Sequence, residues 1–407
     1  MKPAKHTKKV IQFRAMFMRT EANVLQPLLL LAALMLGTIS LLTAVRAPDW
    51  MWVWKLAILV GEFGHWLVML ALGLAAITAF GSDGWWRVAG LLLCAAAVVG
   101  FLRPAYCASR LAVALPAKMQ AALGGADDSA APFRASRLYL GPSLPPVQVT
   151  TEVFAQPDGQ ELKLDYYAPP AVKDATRRPP CIVVIHGGGW DGGDRKQLAA
   201  WNYRWAAQGY AVAAISYRLA PRWRWPSPRE DVLSAVAWLK LHADALGFDP
   251  ARLILLGRSA GGQIATAVGY GAKDPAIRGV IALYAPHDMP FVWSVAREDD
   301  ALNSSKLMRQ YLGGPPEGER RALYESASAQ LLAQAGSPPT LLVHGVPDTL
   351  SWHWHSERLA ARLAQLRVPH YYLRLPWATH GFDFNPDGPG GQLTDYAIGR
   401  FLAVVTK

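Results

Sequence analysis

The sequence predicts an α/β domain over residues 146–407, built on a mostly parallel, doubly wound sheet and preceded by a bundle of about three transmembrane helices. Two observations carry this. Uninterrupted apolar runs crowd into the first quarter of the 407 residues, whereas the remainder mixes short apolar runs with Gly, Pro and charged turns. In that remainder, strand-like runs alternate with helical patterns, the order of a sheet covered on both faces.

Residues 1–24 form a basic N-terminus carrying Lys2, Lys5, Lys8, Lys9, Arg14 and Arg19. The net charge of +11 and pI near 9.6 raise the question of nucleic acid. No basic helix, zinc spacing or aromatic RNA-binding signature accompanies them, so nucleic acid is not an expected partner. The basic residues instead read as a cytoplasmic flank on an anionic leaflet.

The membrane region is expected over residues 25–103. The stretch 25–45 (LQPLLLLAALMLGTISLLTAV) is uncharged over the length a helix needs to cross a hydrocarbon core of about 30 Å. A second run covers about 56–80 and a third, shorter one about 86–103; two spans are the fallback. Trp50, Trp52 and Trp54 before the second run, and Trp85 and Trp86 before the third, suit an interfacial aromatic belt. With the N-terminus inside, three crossings make a multi-pass protein of the cell membrane and place the C-terminal domain outside the cytoplasm. Lys and Arg near the spans number seven inside, with Arg87, against five outside: Arg46, Lys55, Arg103, Arg110 and Lys118. Glu62 and His65 share one face of the second helix; pairing near a membrane boundary, with each other or with a neighbouring helix, competes there with a proton or ligand site. Residues 104–145, rich in Ala, Gly, Ser and Pro, read as a linker opening with an interfacial helix up to Leu123.

From residue 146 the expected strands are VQVTTEVFA, LKLDYYAP, CIVVIH, YAVAAISY, RLILLG, GVIALY, TLLVHG and HYYLRL. Several are apolar and β-branched throughout, as parallel strands buried on both faces are. Three scattered cysteines, Cys94, Cys107 and Cys181, offer neither a disulfide framework nor metal spacing. His353-x-His355 has no further ligands near it, so no metal and no other cofactor is expected.

The chemistry lies in the turns. RLILLG-RSAGG-QIATAVGY sets a G-x-S-x-G pentapeptide (Gly257, Arg258, Ser259, Ala260, Gly261) between a buried strand and a helix. Upstream, His186-Gly187-Gly188-Gly189-Trp190 follows the strand CIVVI. A loop free of side chains can aim backbone N–H groups at a developing oxyanion, which nominates Gly188, Gly189 and Ala260 as donors. A serine nucleophile needs a base oriented by a carboxylate. Asp348 lies just past TLLVHG and His380 just past HYYLRL, in the order Ser259, Asp348, His380; Asp288 is the competing acid. His344 reads as a satisfied core residue and Asp383 as too near His380 in sequence to orient it. Trp190, Trp223 and Trp225 are candidate substrate contacts. Arg222 and Arg224 beside them favour an anionic or sugar-like substrate, against the alternative of a solvated loop. Residues 287–337 form a long, partly helical insertion of the lid kind.

On HGGGW, SYRLAP (216–221), DPARLILLGRSAGGQIA (249–265), HGVPDTL (344–350) and THGFD (379–383), residues 146–407 resemble the hormone-sensitive-lipase-like branch of the α/β-hydrolase superfamily. They also resemble the related acetyl-xylan and feruloyl esterase-like enzymes. The resemblance implies an α/β-hydrolase fold and serine esterase activity on short-chain carboxylic esters through an acyl-enzyme. In that scheme Ser259 is nucleophile, Asp348 acid and His380 base, with Gly188, Gly189 and Ala260 forming the oxyanion hole. Implied partners are a small-molecule, lipid or glycan ester and the lipid bilayer; the oligomeric state is left open. Acyl transfer or lipid hydrolysis by the same triad is the enzymatic alternative, and a membrane receptor or scaffold on the same fold the non-enzymatic one.

Overall fold

The computed structural model describes residues 24–125, 130–170 and 178–407. The six basic residues expected as a cytoplasmic flank lie outside these.

Three long helices open the described chain: α1 (Val24–Thr43), α2 (Met51–Gly81) and α3 (Gly84–Leu123), all long and apolar enough to cross a membrane. Only two residues separate α2 from α3, so they pack as an antiparallel pair. Leu36 of α1 joins Val60, Val68 and Ala71 of α2 and Ala97 and Phe101 of α3 in a core of their own. The outward faces expose Leu28, Leu31, Met69, Leu70, Phe80, Leu92 and Val99, a belt of apolar side chains.

One expectation about this region is corrected. The third helix does not stop near residue 103 and give way to a linker. It runs as one helix of 40 residues through Pro104 and Pro116. A proline inside a helix removes one N–H and strains the preceding turn; here tertiary packing offsets the loss. Ala108, Leu115 and Met119 are buried in the same core as the sheet residues Ile182, Val184, Val212 and Ile254, so this half of α3 is a layer of the C-terminal domain and not an interfacial helix. Of the two pairings expected for Glu62, with His65 or with a neighbouring helix, the structure shows the second, at the residues that begin the helix Pro389–Val405. The Glu62 carboxylate accepts from the N–H of Gly390 at 2.9 Å and from the Trp377 indole at 3.3 Å. His65 sits edge-on to Tyr139.

The C-terminal domain is one eight-stranded sheet in the order β1-β2-β4-β3-β5-β6-β7-β8. Its strands are β1 (Gln148–Ala155), β2 (Leu162–Ala168), β3 (Cys181–Ile185), β4 (Ala211–Ile215), β5 (Leu253–Arg258), β6 (Ile277–Leu283), β7 (Thr340–Gly345) and β8 (His370–Leu375), each overlapping a run expected from the sequence, with β5 one residue longer at its end and β6 two residues longer at its start. β2 pairs antiparallel with β1 and with β4; β3 to β8 are parallel to their neighbours. β3, β4 and β5 are buried along their whole length, which is why they carry no polar alternation. One face is covered by α5 (Ser227–Leu246) and α6 (Ala260–Gly271), around the core of Leu164, Val183, Leu239, Ile264 and Val280. The other is covered by α4 (Ala199–Ala207), α12 (Pro389–Val405) and the end of α3.

The insertion after β6 holds four short helices: α7 (Met289–Val295), α8 (Ser304–Leu312), α9 (Arg320–Ser326) and α10 (Ala329–Leu332). α11 (Trp354–Gln365) then links β7 to β8. The parallel strands thus gather their following loops at one sheet edge, where the motifs of the sequence converge.

Candidate active site

Ser259 stands between the end of β5 and the start of α6 with φ 52° and ψ −121°, a conformation that costs a non-glycine residue energy. The turn is tight enough to exclude side chains on both flanks. A Cβ on Gly257 would lie 2.1 Å from the carbonyl oxygen of Gly261, and one on Gly261 would lie 2.2 Å from that of Ile185. The Ser259 N–H donates to the carbonyl of Leu283 at 2.9 Å, tying the turn to β6.

The structure brings Ser259, His380 and Asp348 together. Ser259 Oγ and His380 Nε2 are 2.9 Å apart, and His380 Nδ1 and Asp348 Oδ2 are 2.9 Å apart. The other Asp348 oxygen accepts from the N–H groups of Leu350 and Ser351, both at 2.9 Å. Burial alone would raise the Asp348 carboxyl. His380 and His344 beside it outweigh that and hold it well below the usual carboxylate range, so it is an anion at neutral pH. Asp288, the competing acid, is committed elsewhere: one oxygen caps α7 through the Phe291 N–H at 3.2 Å and the other binds Arg358 at 2.6 Å.

The glycine loop reaches the same place. Gly188 has φ 123° and Gly189 φ 60°. Gly189 and Ala260 line the cavity beside Ser259, and the carbonyl of the adjoining Gly188 accepts from the N–H groups of Asp191 and Gly192. Trp190 also lines the cavity; its indole donates to Gln263 at 2.9 Å and stacks on Tyr311 at 4.5 Å. Trp223 and Trp225, expected as substrate contacts, do not line it. Trp225 is a core residue whose indole N–H is spent on Ser326, because the loop after β4 folds back under α8 and not over the mouth.

The cavity has a volume of about 100 Å³. Its inner wall is apolar, with Val292, Ala296, Leu302 and Leu307 supplied by the insertion after β6. His355 closes one side; burial, with His344 and Arg358 nearby, pushes its imidazolium down to about 3, so the ring is neutral there. Among the described residues no group of three His, Cys, Asp or Glu side chains could hold a metal ion.

Three features of the site are not legible in the sequence motifs. His344 is more than a satisfied core residue: its Nε2 lies 3.2 Å from Asp348 Oδ2 and 2.9 Å from the Ser351 carbonyl. Facing two acceptors, Nε2 must carry the proton. The H-G-V-P-D spacing was the available signal. Arg258, the variable position of the serine pentapeptide, forms a fully buried ion pair with Asp383, whose other oxygen accepts from Tyr284 at 2.6 Å. Asp383 therefore braces the His380 loop against the elbow without touching the imidazole in this pairing. Finally, the α2 indole of Trp54 donates to the carbonyl of His380 at 2.8 Å, a contact across 326 positions that no local pattern announces.

Comparison with known proteins gives the family of this domain. Residues 164–363 match the BD-FAE family model. Esterase LipC of Mycobacterium tuberculosis is 30% identical over 250 residues, covering 58% of this chain and 61% of LipC. The ethyl acetate hydrolase of Pseudomonas putida is 36% identical over 144 residues, covering 35% of this chain and 45% of that protein. The chain thus spans less than two thirds of the length of these curated relatives. Among solved structures, an esterase from the fungus Rhizomucor miehei superposes with a TM-score of 0.55 at 24% identity, over 65% of this chain and 85% of the fungal one, a likeness of fold. Residues 164–363 are accordingly a BD-FAE domain of the hormone-sensitive-lipase-like esterase kind, on an α/β-hydrolase fold and homologous to the mycobacterial esterases.

Proposed function

We propose that this protein is a membrane-anchored serine esterase that hydrolyses short-chain carboxylic esters through Ser259, His380 and Asp348. The observation that carries the reading is the unbroken chain of two 2.9 Å contacts from the Ser259 hydroxyl through His380 to the buried Asp348 carboxylate.

In the reaction, His380 Nε2 takes the hydroxyl proton as Ser259 Oγ attacks the ester carbonyl, and Asp348 stabilises the imidazolium through Nδ1–H. Charge gathers on the carbonyl oxygen, which the backbone N–H groups of Ala260, Gly189 and Gly188 receive. His380 then gives its proton to the departing alcohol, leaving an acyl-enzyme. Water, deprotonated by the same nitrogen, releases the acid and regenerates Ser259. The apolar wall of Val292, Ala296, Leu302 and Leu307 beside Ser259 supports an acyl group in the cavity, and we take that group to be short. The Pseudomonas putida relative, named for ethyl acetate, fits the same choice.

Anchoring rests on α1, α2 and α3, whose length and exposed apolar belt suit a bilayer core. The bundle puts Val24 and the α2–α3 turn at one end and the C-terminal domain at the other. With the basic N-terminus in the cytoplasm, the esterase domain is extracytoplasmic.

The test is hydrolysis of p-nitrophenyl esters from acetate to palmitate by the full chain in detergent. Activity is expected to peak at acetate to butyrate and to fall on the order of 10⁴-fold or more in Ser259→Ala. Undiminished turnover in that variant would overturn the assignment.

A further inference from the structure

The link between α1 and α2, residues 44–50, is more than a tether, because it forms part of the cavity that holds Ser259 and His380. Arg46 and Asp49 both line that cavity. The link is fastened to the loop carrying Asp348. Arg46 donates to the carbonyl of Thr349 at 3.1 Å, and the Thr349 hydroxyl donates back to that of Ala47 at 3.1 Å. The Arg46 guanidinium also lies over the Trp352 ring at 4.9 Å. Asp49 reaches Arg297, on the insertion after β6, at 3.3 Å. The first turn of α2 meanwhile holds the His380 loop through Trp54. The mouth is therefore framed on one side by the insertion and on the other by the membrane bundle.

The depth of the link follows from helix geometry. A 20-residue helix rises about 30 Å, the thickness of a bilayer's hydrocarbon core. If α1 spans that core, Arg46, three residues beyond Thr43, stands at headgroup level. The outer surface agrees: Val45, Trp50 and Trp52 are exposed at 51%, 61% and 61%, with the two indoles 5.9 Å apart. Tryptophan beside a cation is the side-chain pairing that settles at a membrane interface.

We infer that the cavity receives its substrate from the bilayer interface, and that the substrate is a short-chain acyl ester of an amphiphilic, membrane-resident alcohol. The inference rests on the reading of Ser259 as the nucleophile. The acyl group fills the small cavity under the insertion. The alcohol portion, too large for it, leaves through the mouth past Arg46 and Asp49, which face its polar part, while its apolar part stays among the lipids beside Trp50 and Trp52.

The experiment uses the full chain in phosphatidylcholine vesicles and compares acetate release from hexadecyl acetate and from ethyl acetate. The two leaving alcohols are chemically alike and differ in membrane residence. kcat/KM is expected to be at least tenfold higher for hexadecyl acetate, and the ratio is expected to fall at least fivefold in Trp50→Ser/Trp52→Ser and in Arg46→Gln. Equal rates for the two esters, or a ratio unmoved in both variants, would overturn the inference. p-Nitrophenyl acetate is read in the same vesicles. If its hydrolysis does not depend on Ser259, the triad falls and the inference with it; if it does, equal rates sink the inference alone.

Discussion

Replacing Asp348 by Asn puts the roles of the two imidazoles to a quantitative test. The Asp348 oxygen that accepts from Leu350 and Ser351, both at 2.9 Å, faces two backbone donors, so the amide oxygen of an Asn is held on that side. The NH₂ group then takes the place of Oδ2, where His380 Nδ1 and His344 Nε2 converge at 2.9 and 3.2 Å. Donor meets donor. His380 escapes by moving its proton to Nε2, where it faces Ser259 and can no longer accept the hydroxyl proton. The imidazolium of the transition state loses a charge-assisted bond and meets a repelling donor, each worth roughly 1.5–3 kcal/mol. Together these are about 3–6 kcal/mol, or on the order of 10² to 10⁴ in kcat. Turnover of p-nitrophenyl acetate, with active enzyme counted by titration, measures it. Asp288→Asn is the control, expected to stay within a few-fold because Asp288 serves α7 and Arg358. An Asp348→Asn variant within tenfold of the parent, or a larger loss from Asp288→Asn, would refute the assignment of the acid.

Other consequences follow from the packing around the site. Asp383→Asn leaves Arg258 buried without its partner, and is expected to lower stability by about 3–5 kcal/mol in a denaturation curve; a loss under about 1 kcal/mol would contradict the bracing role. Gly188→Ala sets a Cβ 2.3 Å from the Gly192 carbonyl at φ 123°, so poor folding and loss of turnover are expected together, readable by circular dichroism and activity. Burial holds His186 down to about 4 and His355 down to about 3, so below about pH 6.5 the unfolded chain binds protons that the folded chain refuses. Stability is then lost as pH falls, at about 1.4 kcal/mol per pH unit for each group, while Asp348 adds its share only below its ordinary value of 3.8. Thermal midpoints at pH 7.5, 6 and 5 read this slope, which His355→Gln should flatten; a flat profile in the parent would show that these histidines titrate normally.

The sequence by itself determined the sheet and singled out the three side chains that meet at the proposed site, because both are written in local patterns. Continuous β-branched runs such as CIVVI can only be strands covered on both faces. A serine flanked by glycines between such a strand and a helix can only be a tight turn. Each later loop at a strand end offered one acid or one histidine in the expected order. What the tertiary structure decided is everything that depends on distant partners. Pro104 and Pro116 look like helix breakers until the docking of Leu115 and Met119 on the sheet outweighs their cost. Glu62 looks like a membrane residue until α2 meets the start of α12 and gives its carboxylate the N–H of Gly390. Trp225 looks like a mouth residue until its chain folds inward. Arg46 and Asp49 carry no motif at all. They belong to the cavity because the N-terminal helices pack against the loops of Asp348 and His380, and hydrogen bonds spanning some three hundred residues obey no local periodicity.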